Sequence, residues 1–175
     1  MVLEIIKLSK EDFYDPNNVL RQKSGAVLVF DSEFQEELNN LIETFEKGRG
    51  VGLAAPQLGI FKRFAIINPD KKENPNHLII VNPEIVSLTG SKKAQKEACL
   101  SLPGYKGNVI RKTKLRLKYQ DRFGVEHEEV FTDFQARVIQ HEFDHLDGIL
   151  FVDRMPSEDA LEEVVAENAT TTTPS

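Results

Sequence analysis

The sequence predicts an α+β fold in which short mixed or antiparallel strands surround a central helix with two histidines, the candidate metal-bearing helix. Two segments, residues 31–47 and 132–148, have the apolar spacing of amphipathic helices. Between them, short β-rich runs alternate with turn-forming residues. The chain has 175 residues, of which 40% are apolar and 29% charged, enough for one domain with a substantial core. We expect that single domain to span residues 1–155.

The first helix is predicted over residues 31–47, "DSEFQEELNNLIETFEK". Its apolar residues recur at spacings of three and four: Phe34, Leu38, Leu41, Ile42 and Phe45. Ser32 and Gln35 match a capping box, which would start the helix. Gly48 would end it by adopting a left-handed conformation.

Strands are predicted next, at "RFAII" (63–67) and "LIIV" (78–81), separated by the turn-forming "NPDKKENPN". The segment from residue 114 to residue 131, "KLRLKYQDRFGVEHEEVF", predicts a hairpin because Leu115, Leu117 and Tyr119 alternate with polar residues. Asp121 and Gly124 fit the ends of a type I turn.

The second helix is predicted to start at Thr132, with Gln135 completing a capping box, and to end at Gly148. It contains "QHEFDHLDG", in which His141 and His145 are four residues apart, about one helical turn. Both imidazoles therefore project from one face and can bind one metal ion. Glu142 completes the H-E-x-x-H pattern, in which the glutamate acts as general base on a metal-bound water.

The C-terminal residues 156–175 are predicted to form an acidic tail, with a weak helix in "SEDALEEVVAEN" followed by disorder. Residues 153–175 contain six acidic residues and one base, Arg154.

The net charge of −6 argues weakly against nucleic acid as the main ligand. The single cysteine suits a reducing compartment, and no apolar run has membrane-spanning length. We expect a monomer without membrane contact, in the cytoplasm or, if a presequence was removed, in an organelle matrix.

Catalytic metal sites usually have three protein ligands and one open position, so a third ligand is needed. The metzincin pattern would place it at residue 151, but Phe151 cannot bind a metal. Downstream carboxylates could serve, although a solvated acidic tail explains them better: Glu162, Glu163 and Glu167. His77 and His127 are predicted to be surface residues.

Cys99, in "KEACLSLPG", is the other candidate for the third ligand. A lone cysteine is most often a small buried apolar residue. Here a charged residue precedes it and Pro103-Gly104 follow, which indicates a short strand or loop. A thiolate in that position could complete a site with two imidazoles and one open position. The spacing alone leaves both candidates open.

The glycine-rich stretch "GVGLAA" formally matches a dinucleotide-binding fingerprint. That fingerprint must follow a strand and open a helix. Here a predicted helix precedes it, and Pro56 with Gly59 makes an immediate following helix unfavourable. We therefore reject nucleotide binding.

Three segments taken together resemble peptide deformylase: "GVGLAAPQ" (50–57), "EACLS" (97–101) and "QHEFDH" (140–145). They occur in that family's order, and the likeness extends over roughly residues 5–155. The resemblance implies a deformylase-like α+β catalytic domain that removes the formyl group from the N-terminal formyl-methionine of newly made polypeptides. An H-E-x-x-H metallopeptidase with a different third ligand stays the alternative, as does a binding module with a structural metal.

The resemblance also implies the ligand set and the catalytic group. The family's metal ligands fall on Cys99, His141 and His145, and its general base falls on Glu142. Metal-bound water would attack the formyl carbon with Glu142 accepting its proton. Mixed N and S ligands on their own would favour zinc. The family's preference implies one Fe²⁺ ion, replaceable by Zn²⁺, Ni²⁺ or Co²⁺.

The substrate contacts are implied in the same way. The side-chain amide of Gln57 and the backbone N–H of Leu100 would stabilise the oxyanion. Further positions fall on the substrate groove and on the pocket for the methionine side chain: Gly50, Val51, Gly52 and Val138. Two departures are visible. Ala98 replaces the family's usual glycine, and its methyl group would narrow the allowed backbone angles and crowd the substrate groove. The acidic tail makes docking on ribosomal RNA through it unfavourable.

Overall fold

The computed structural model describes residues 1–70 and 76–164, which form two helices and a six-stranded antiparallel sheet. The helices are α1 (Ser32–Lys47) and α2 (Asp133–Leu146). The strands are β1 (Gly52–Ala54), β2 (Phe64–Ile67), β3 (Leu78–Ala98), β4 (Tyr105–Gln120), β5 (Glu126–Thr132) and β6 (Leu161–Glu163). They are ordered β1-β2-β3-β4-β5, with β6 also pairing with β4. The predicted α+β class is confirmed.

The two helices pack on opposite faces of the sheet, which explains why every residue of β2 is buried. Phe64 and Ile66 belong to the apolar cluster formed with α1, whereas Ala65 and Ile67 belong to the cluster formed with α2. Successive side chains of a strand point to opposite faces, so a strand between two helices must be apolar throughout. Among the strands, α2 packs mainly against β1, β2, β4 and β5, whereas α1 packs mainly against β1 and β2 near one edge, so α2 is the central helix.

The start and the end of α1 differ from prediction. Asp31, rather than Ser32, caps the helix, because its carboxylate accepts a hydrogen bond from the Phe34 N–H at 3.0 Å. Gln35 instead donates to the Arg122 carbonyl at 2.8 Å, so the predicted capping box is wrong. Gly48 has φ −84° and ψ 177°, an extended conformation, so the predicted left-handed stop is also wrong.

The predicted strand at residues 78–81 continues to Ala98 and pairs with β4 along most of its length. Its second half is polar and exposed, so its sequence resembles a loop, and pairing with β4 supplies the backbone hydrogen bonds that hold it extended.

The predicted turn between β4 and β5 is confirmed. The Gly124 N–H donates to the Asp121 carbonyl at 3.0 Å, and Gly124 has φ +81°.

The helix α2 begins after Thr132, whose side chain makes no capping hydrogen bond, so the second predicted capping box is wrong. The helix ends at Leu146, and Gly148 follows with φ +73°, as its predicted role as a stop signal requires. Neither α1 nor α2 is long and apolar enough to span a membrane, and no other described helix is either.

The beginning of the tail is not the weak helix that the sequence predicts. Glu158–Ala160 form a short 3₁₀ turn, and Leu161–Glu163 form β6 on the edge of β4 at Tyr105–Gly107. An unpaired strand edge offers free backbone groups, and Leu161 adds apolar contact with the cluster beneath. The strand pairing and the apolar contact together outweigh the weak helical propensity of this segment. The predicted disorder lies outside the described residues.

Candidate metal centre

His141 and His145 project from one face of α2, and their rings meet edge to face with centroids 5.1 Å apart. Cys99 follows the last residue of β3 and lies beside them, with Sγ 3.3 Å from His145 Nε2. One donor atom from each of these three side chains falls within 4.8 Å of the other two. Of the two kinds of third ligand left open by the sequence, the described structure brings Cys99 to the histidine pair.

This donor set fits a single divalent cation. Metal–ligand distances of about 2.0–2.3 Å place the ligands of one ion about 3–4 Å apart, close to the spacing here. His141 Nδ1 is 2.8 Å from Glu97 Oε1, which leaves Nε2 to face the thiol. Such a carboxylate partner fixes the tautomer and orientation of a metal-binding imidazole.

Glu97 sits at the centre of a buried network of charges. Arg111 donates to both of its carboxylate oxygens, at 2.7 and 2.9 Å, and Arg137 donates to one of them at 2.6 Å. Arg111 also donates to Asp144 at 2.9 Å. Because Asp144 lies on α2 between the histidines and Arg111 on β4, the network ties the helix to the sheet. The sequence motifs include Glu97, but nothing local in the sequence reveals its two arginine partners.

The titratable side chains of the centre have pKa values shifted in different directions. Burial raises the pKa of Glu97, but hydrogen bonds from His141 and Arg111 outweigh it and hold the pKa well below its usual range. Burial lowers the pKa of His145, which favours its neutral, metal-binding form. Burial also lowers the pKa of His141, but hydrogen bonds to Cys99 and Glu97 raise it well above its usual range. A cation would have to displace that proton.

Glu142 lies beside the cluster on α2 and is buried, with 3% of its surface exposed. Burial raises its pKa to about 7. Its carboxylate occupies the space over Gly52: a Cβ built on Gly52 would lie 2.5 Å from Glu142 Oε1. A glycine at this position therefore allows α2 and β1 to approach closely enough for Glu142 to face the groove.

The side-chain amide of Gln57 is directed toward Cys99, in the candidate metal cluster. Its Oε1 accepts a hydrogen bond from the Ala54 N–H at 2.9 Å, so its Nε2 is turned toward Cys99 Sγ at 3.5 Å. Nε2 also donates to Ser101 Oγ at 3.0 Å. Ser101 is fully buried and was not singled out from the sequence. These contacts fix Gln57 as a hydrogen-bond donor beside the candidate metal position.

The remaining predicted site residues line one groove of about 670 Å³ over the cluster. They are Gly50, Val51, Gly52, Leu100 and Val138. Ala98 lines it too. Its φ lies outside the left-handed region, since Asn82 and Asp133 are the non-glycine residues with positive φ in the described part of the chain. The methyl group of Ala98 thus takes up space in the groove but imposes no backbone strain.

His77 and His127, which the sequence placed outside the site, lie away from the cluster, whereas Phe151 packs beside it without offering a ligand atom. Phe151 is buried and stacks on the His141 ring, with centroids 6.3 Å apart. His77 is near Glu46 at 3.4 Å, and His127 is near Asp121 at 2.9 Å.

The tail glutamates stay apart from the cluster where they are described. Glu162 pairs with Lys96 at 2.7 Å, and Glu163 is exposed on β6. Glu167 lies outside the described residues. Among the described residues, therefore, no tail carboxylate joins the two histidines.

The fold and this centre define a class: α+β proteins in which an H-E-x-x-H helix, buried against an antiparallel sheet, meets a thiol from a strand end. Residues 10–160 match the family model for polypeptide deformylase. A peptide deformylase of Chlorobaculum parvum is 42% identical over 150 residues, covering 84% of this chain and 79% of the relative.

Solved structures agree. The crystal structure of a peptide deformylase from Legionella pneumophila has a TM-score of 0.79 and 38% identity, covering 89% of this chain and 86% of that one. Peptide deformylase from Thermotoga maritima has a TM-score of 0.78 and 35% identity, with 89% and 98% covered. The chain belongs to the polypeptide deformylase family. It is an enzyme, since this family consists of metal-dependent hydrolases that remove formyl groups.

Proposed function

We propose that the protein hydrolyses the formyl group from the N-terminal formyl-methionine of newly made polypeptides, releasing formate and a free amine. The observation that carries this proposal is the convergence of a base, an amide donor and three metal-binding atoms on one groove. Glu142, the Gln57 amide and the Cys99–His141–His145 cluster all line that groove or adjoin it. A formyl group is small, so a site with close backbone walls at Gly50 and Gly52 suits it.

The cluster of Cys99, His141 and His145 would hold one divalent cation, which lowers the pKa of water and polarises a carbonyl oxygen. Glu142 accepts the proton of the attacking water and passes it to the departing amine nitrogen as the carbon–nitrogen bond breaks. A general base works best with a pKa near the working pH, and burial brings Glu142 into that range.

Negative charge develops on the formyl oxygen when water adds to the carbon. The Gln57 Nε2 and the Leu100 N–H donate hydrogen bonds to it. The hydrogen bond from the Ala54 N–H to Gln57 Oε1 already orients Nε2 toward the cluster. The side chain therefore needs little reorganisation before it donates to the formyl oxygen. Loss of one such donor typically costs about 3 kcal/mol of transition-state stabilisation.

Formate release from a formyl-Met peptide by the metal-loaded protein tests the proposal. Glu142→Ala is expected to reduce the rate by at least about 100-fold while metal content is retained. Glu84→Ala, on an exposed position of β3, is the matched control and should keep full activity. Cleavage of internal peptide bonds without any formate would contradict the proposal.

A second experiment separates this proposal from a peptidase that uses a tail carboxylate. The triple variant Glu162→Ala, Glu163→Ala, Glu167→Ala keeps the backbone pairing of β6 but removes all three candidates. It should bind metal in the same ratio as the unaltered protein, whereas Cys99→Ala should lose metal. The reverse pattern would support the peptidase.

We propose Fe²⁺ as the working ion. The partly exposed Cys99 thiolate is open to oxidation, which would remove it from the ligand set. Iron-loaded protein should therefore lose activity in air faster than nickel- or zinc-loaded protein. Equal decay for all three ions would argue against an oxidisable iron–thiolate centre.

The proposed setting is the bacterial cytoplasm or an organelle matrix, where translation starts with formyl-methionine. The protein is proposed to act as a monomer, with residues 1–155 as its catalytic domain, and to meet ribosomes only transiently. The acidic tail would be repelled by ribosomal RNA. Sedimentation of the purified protein tests the oligomeric state. Deletion of residues 157–175, which removes five of the acidic residues, should not reduce co-sedimentation with ribosomes.

A further inference from the structure

The groove over the candidate metal centre carries an uneven distribution of charge. Six charged side chains line it, four basic and two acidic: Lys7, Arg49, Lys96, Arg137, Glu97 and Glu142. Both carboxylates are buried, whereas three of the four cations are exposed. The solvent side of the groove is therefore positive, although the protein as a whole has a net charge of −6.

Two of the four cations are already paired. Arg137 donates to the buried Glu97 at 2.6 Å, and Lys96 pairs with Glu162 at 2.7 Å. Lys7 and Arg49 make no ion pair with any carboxylate of the described residues. Two exposed positive charges thus face the groove without a counter-charge from the described part of the protein.

Lys7 is held in place by the backbone on both sides of it. The Ile6 N–H donates to the Gln57 carbonyl at 2.8 Å, and the Leu8 N–H donates to the Ser101 carbonyl at 2.8 Å. Gln57 and Ser101 are themselves joined beside Cys99. Lys7 is therefore anchored to the wall of the candidate active site rather than lying on a distant surface.

The segment that carries Arg49 packs closely on Leu100, the residue after Cys99. A Cβ built on Gly50 would lie 2.9 Å from Leu100 Cδ1, and one built on Gly48 would lie 3.9 Å from the same atom. Gly50 therefore lets the chain approach Leu100 closely, whereas a side chain at residue 48 would make only an ordinary contact with it. The guanidinium group is thus carried by a segment that adjoins the proposed oxyanion donor.

We propose that Lys7 and Arg49 select substrates with an aspartate or glutamate among the first few residues after the formylated methionine. This inference rests on the proposed deformylation and adds the charge class of its substrates. An extended peptide advances about 3.3 Å per residue, so the residues that follow methionine lie along the groove. A carboxylate there meets two unpaired cations, whereas a lysine meets like charge.

The test compares formyl-Met-Ala-Ala-Ala amides in which aspartate or lysine replaces each alanine in turn. C-terminal amidation removes the terminal carboxylate, so that the side chain is the only variable charge. At about 0.01 M ionic strength, aspartate at the best position should give a kcat/KM several-fold higher than lysine, through KM. Each exposed cation contributes up to about fivefold. At about 1 M the preference should disappear because exposed charges are screened.

Variants assign the preference to the two side chains. Lys7→Gln and Arg49→Gln should each reduce the aspartate-to-lysine ratio, Arg49→Lys should preserve it, and Arg49→Glu should lower it furthest. Lys23→Gln removes the same charge from an exposed position outside the groove and serves as control, with no change expected. All of these variants should still release formate from the trialanine peptide.

Equal kcat/KM for aspartate and lysine peptides at low ionic strength would overturn charge selection while leaving the deformylase proposal standing. An aspartate preference that survives in the Lys7→Gln, Arg49→Gln double variant would overturn it too, because the selecting charge would lie elsewhere. Absence of formate from every peptide, including the uncharged one, would instead overturn the proposed function.

Discussion

Glu97 Oε1 lies 2.8 Å from His141 Nδ1, and this contact joins the end of β3 to the middle of α2. The same carboxylate is held by Arg111 and Arg137, so its position is fixed before any ligand enters the groove. Because Glu97 is two residues from Cys99, one short segment supplies both the thiol and the group that orients a facing imidazole.

Replacing Glu97 by glutamine is expected to weaken metal binding by about 10–100-fold. Glutamine keeps the shape of the side chain but removes the charge that fixes the tautomer of His141. Metal affinity of the folded protein, measured by competition with a chelator, checks this. Glu84→Gln removes an exposed carboxylate from the same strand and should leave the affinity unchanged. Unaltered affinity in Glu97→Gln would assign Glu97 a purely structural role.

Gly52→Ala should displace the carboxylate of Glu142. A Cβ at residue 52 would lie 2.5 Å from Glu142 Oε1 and 2.8 Å from its Cγ, so the side chain must move. Misplacement of a catalytic group by 1 Å can cost about 100-fold, and we expect kcat for formate release to fall by at least about tenfold. Metal content should not change. Gly25→Ala is the control, since a Cβ there meets no atom within 4 Å. Full activity in Gly52→Ala would contradict the proposed role of Glu142.

Arg111→Met is expected to lower the free energy of unfolding by about 3–5 kcal/mol. Arg111 is buried and neutralises both Glu97 and Asp144, so its loss leaves two buried carboxylates with fewer partners. Urea unfolding followed by circular dichroism measures the change. Arg116→Met is the matched control: its side chain is 51% exposed and 3.6 Å from Glu128, and loss of such a surface pair costs less than about 1 kcal/mol. Similar values for the two variants would show that the buried network adds little to stability.

Gly148→Ala should destabilise the protein more than Gly104→Ala does. Both glycines have positive φ, +73° and +83°, which costs an alanine about 1–2 kcal/mol. A Cβ on Gly148 would also lie 2.2 Å from the Arg21 carbonyl oxygen, whereas one on Gly104 meets nothing within 4 Å. Thermal unfolding of the two variants isolates the packing contribution, expected to exceed about 1 kcal/mol. Equal destabilisation would mean that the Arg21 segment moves away freely.

Local patterns in the sequence predicted the elements that depend on local spacing. The stripe of Phe34, Leu38 and Leu41 gave α1, and the alternation of Leu115, Leu117 and Tyr119 gave the hairpin. The polar second half of β3 was not predicted, because it is a strand only through pairing with β4. The strand β6 was missed for the same reason, since its formation depends on a free edge at Tyr105–Gly107.

By itself the sequence determined that His141 and His145 share a helix face with Glu142 next to them, because helical periodicity acts over a few neighbouring residues. The tertiary structure decided what meets them. Packing of α2 on the sheet brings Cys99 to the imidazoles, pairing of β3 with β4 lets the Arg111 side chain reach Glu97, and the close approach of α2 to β1 sets Glu142 over Gly52. Those contacts join residues far apart in the chain, and their positions follow from how the elements pack rather than from any local pattern.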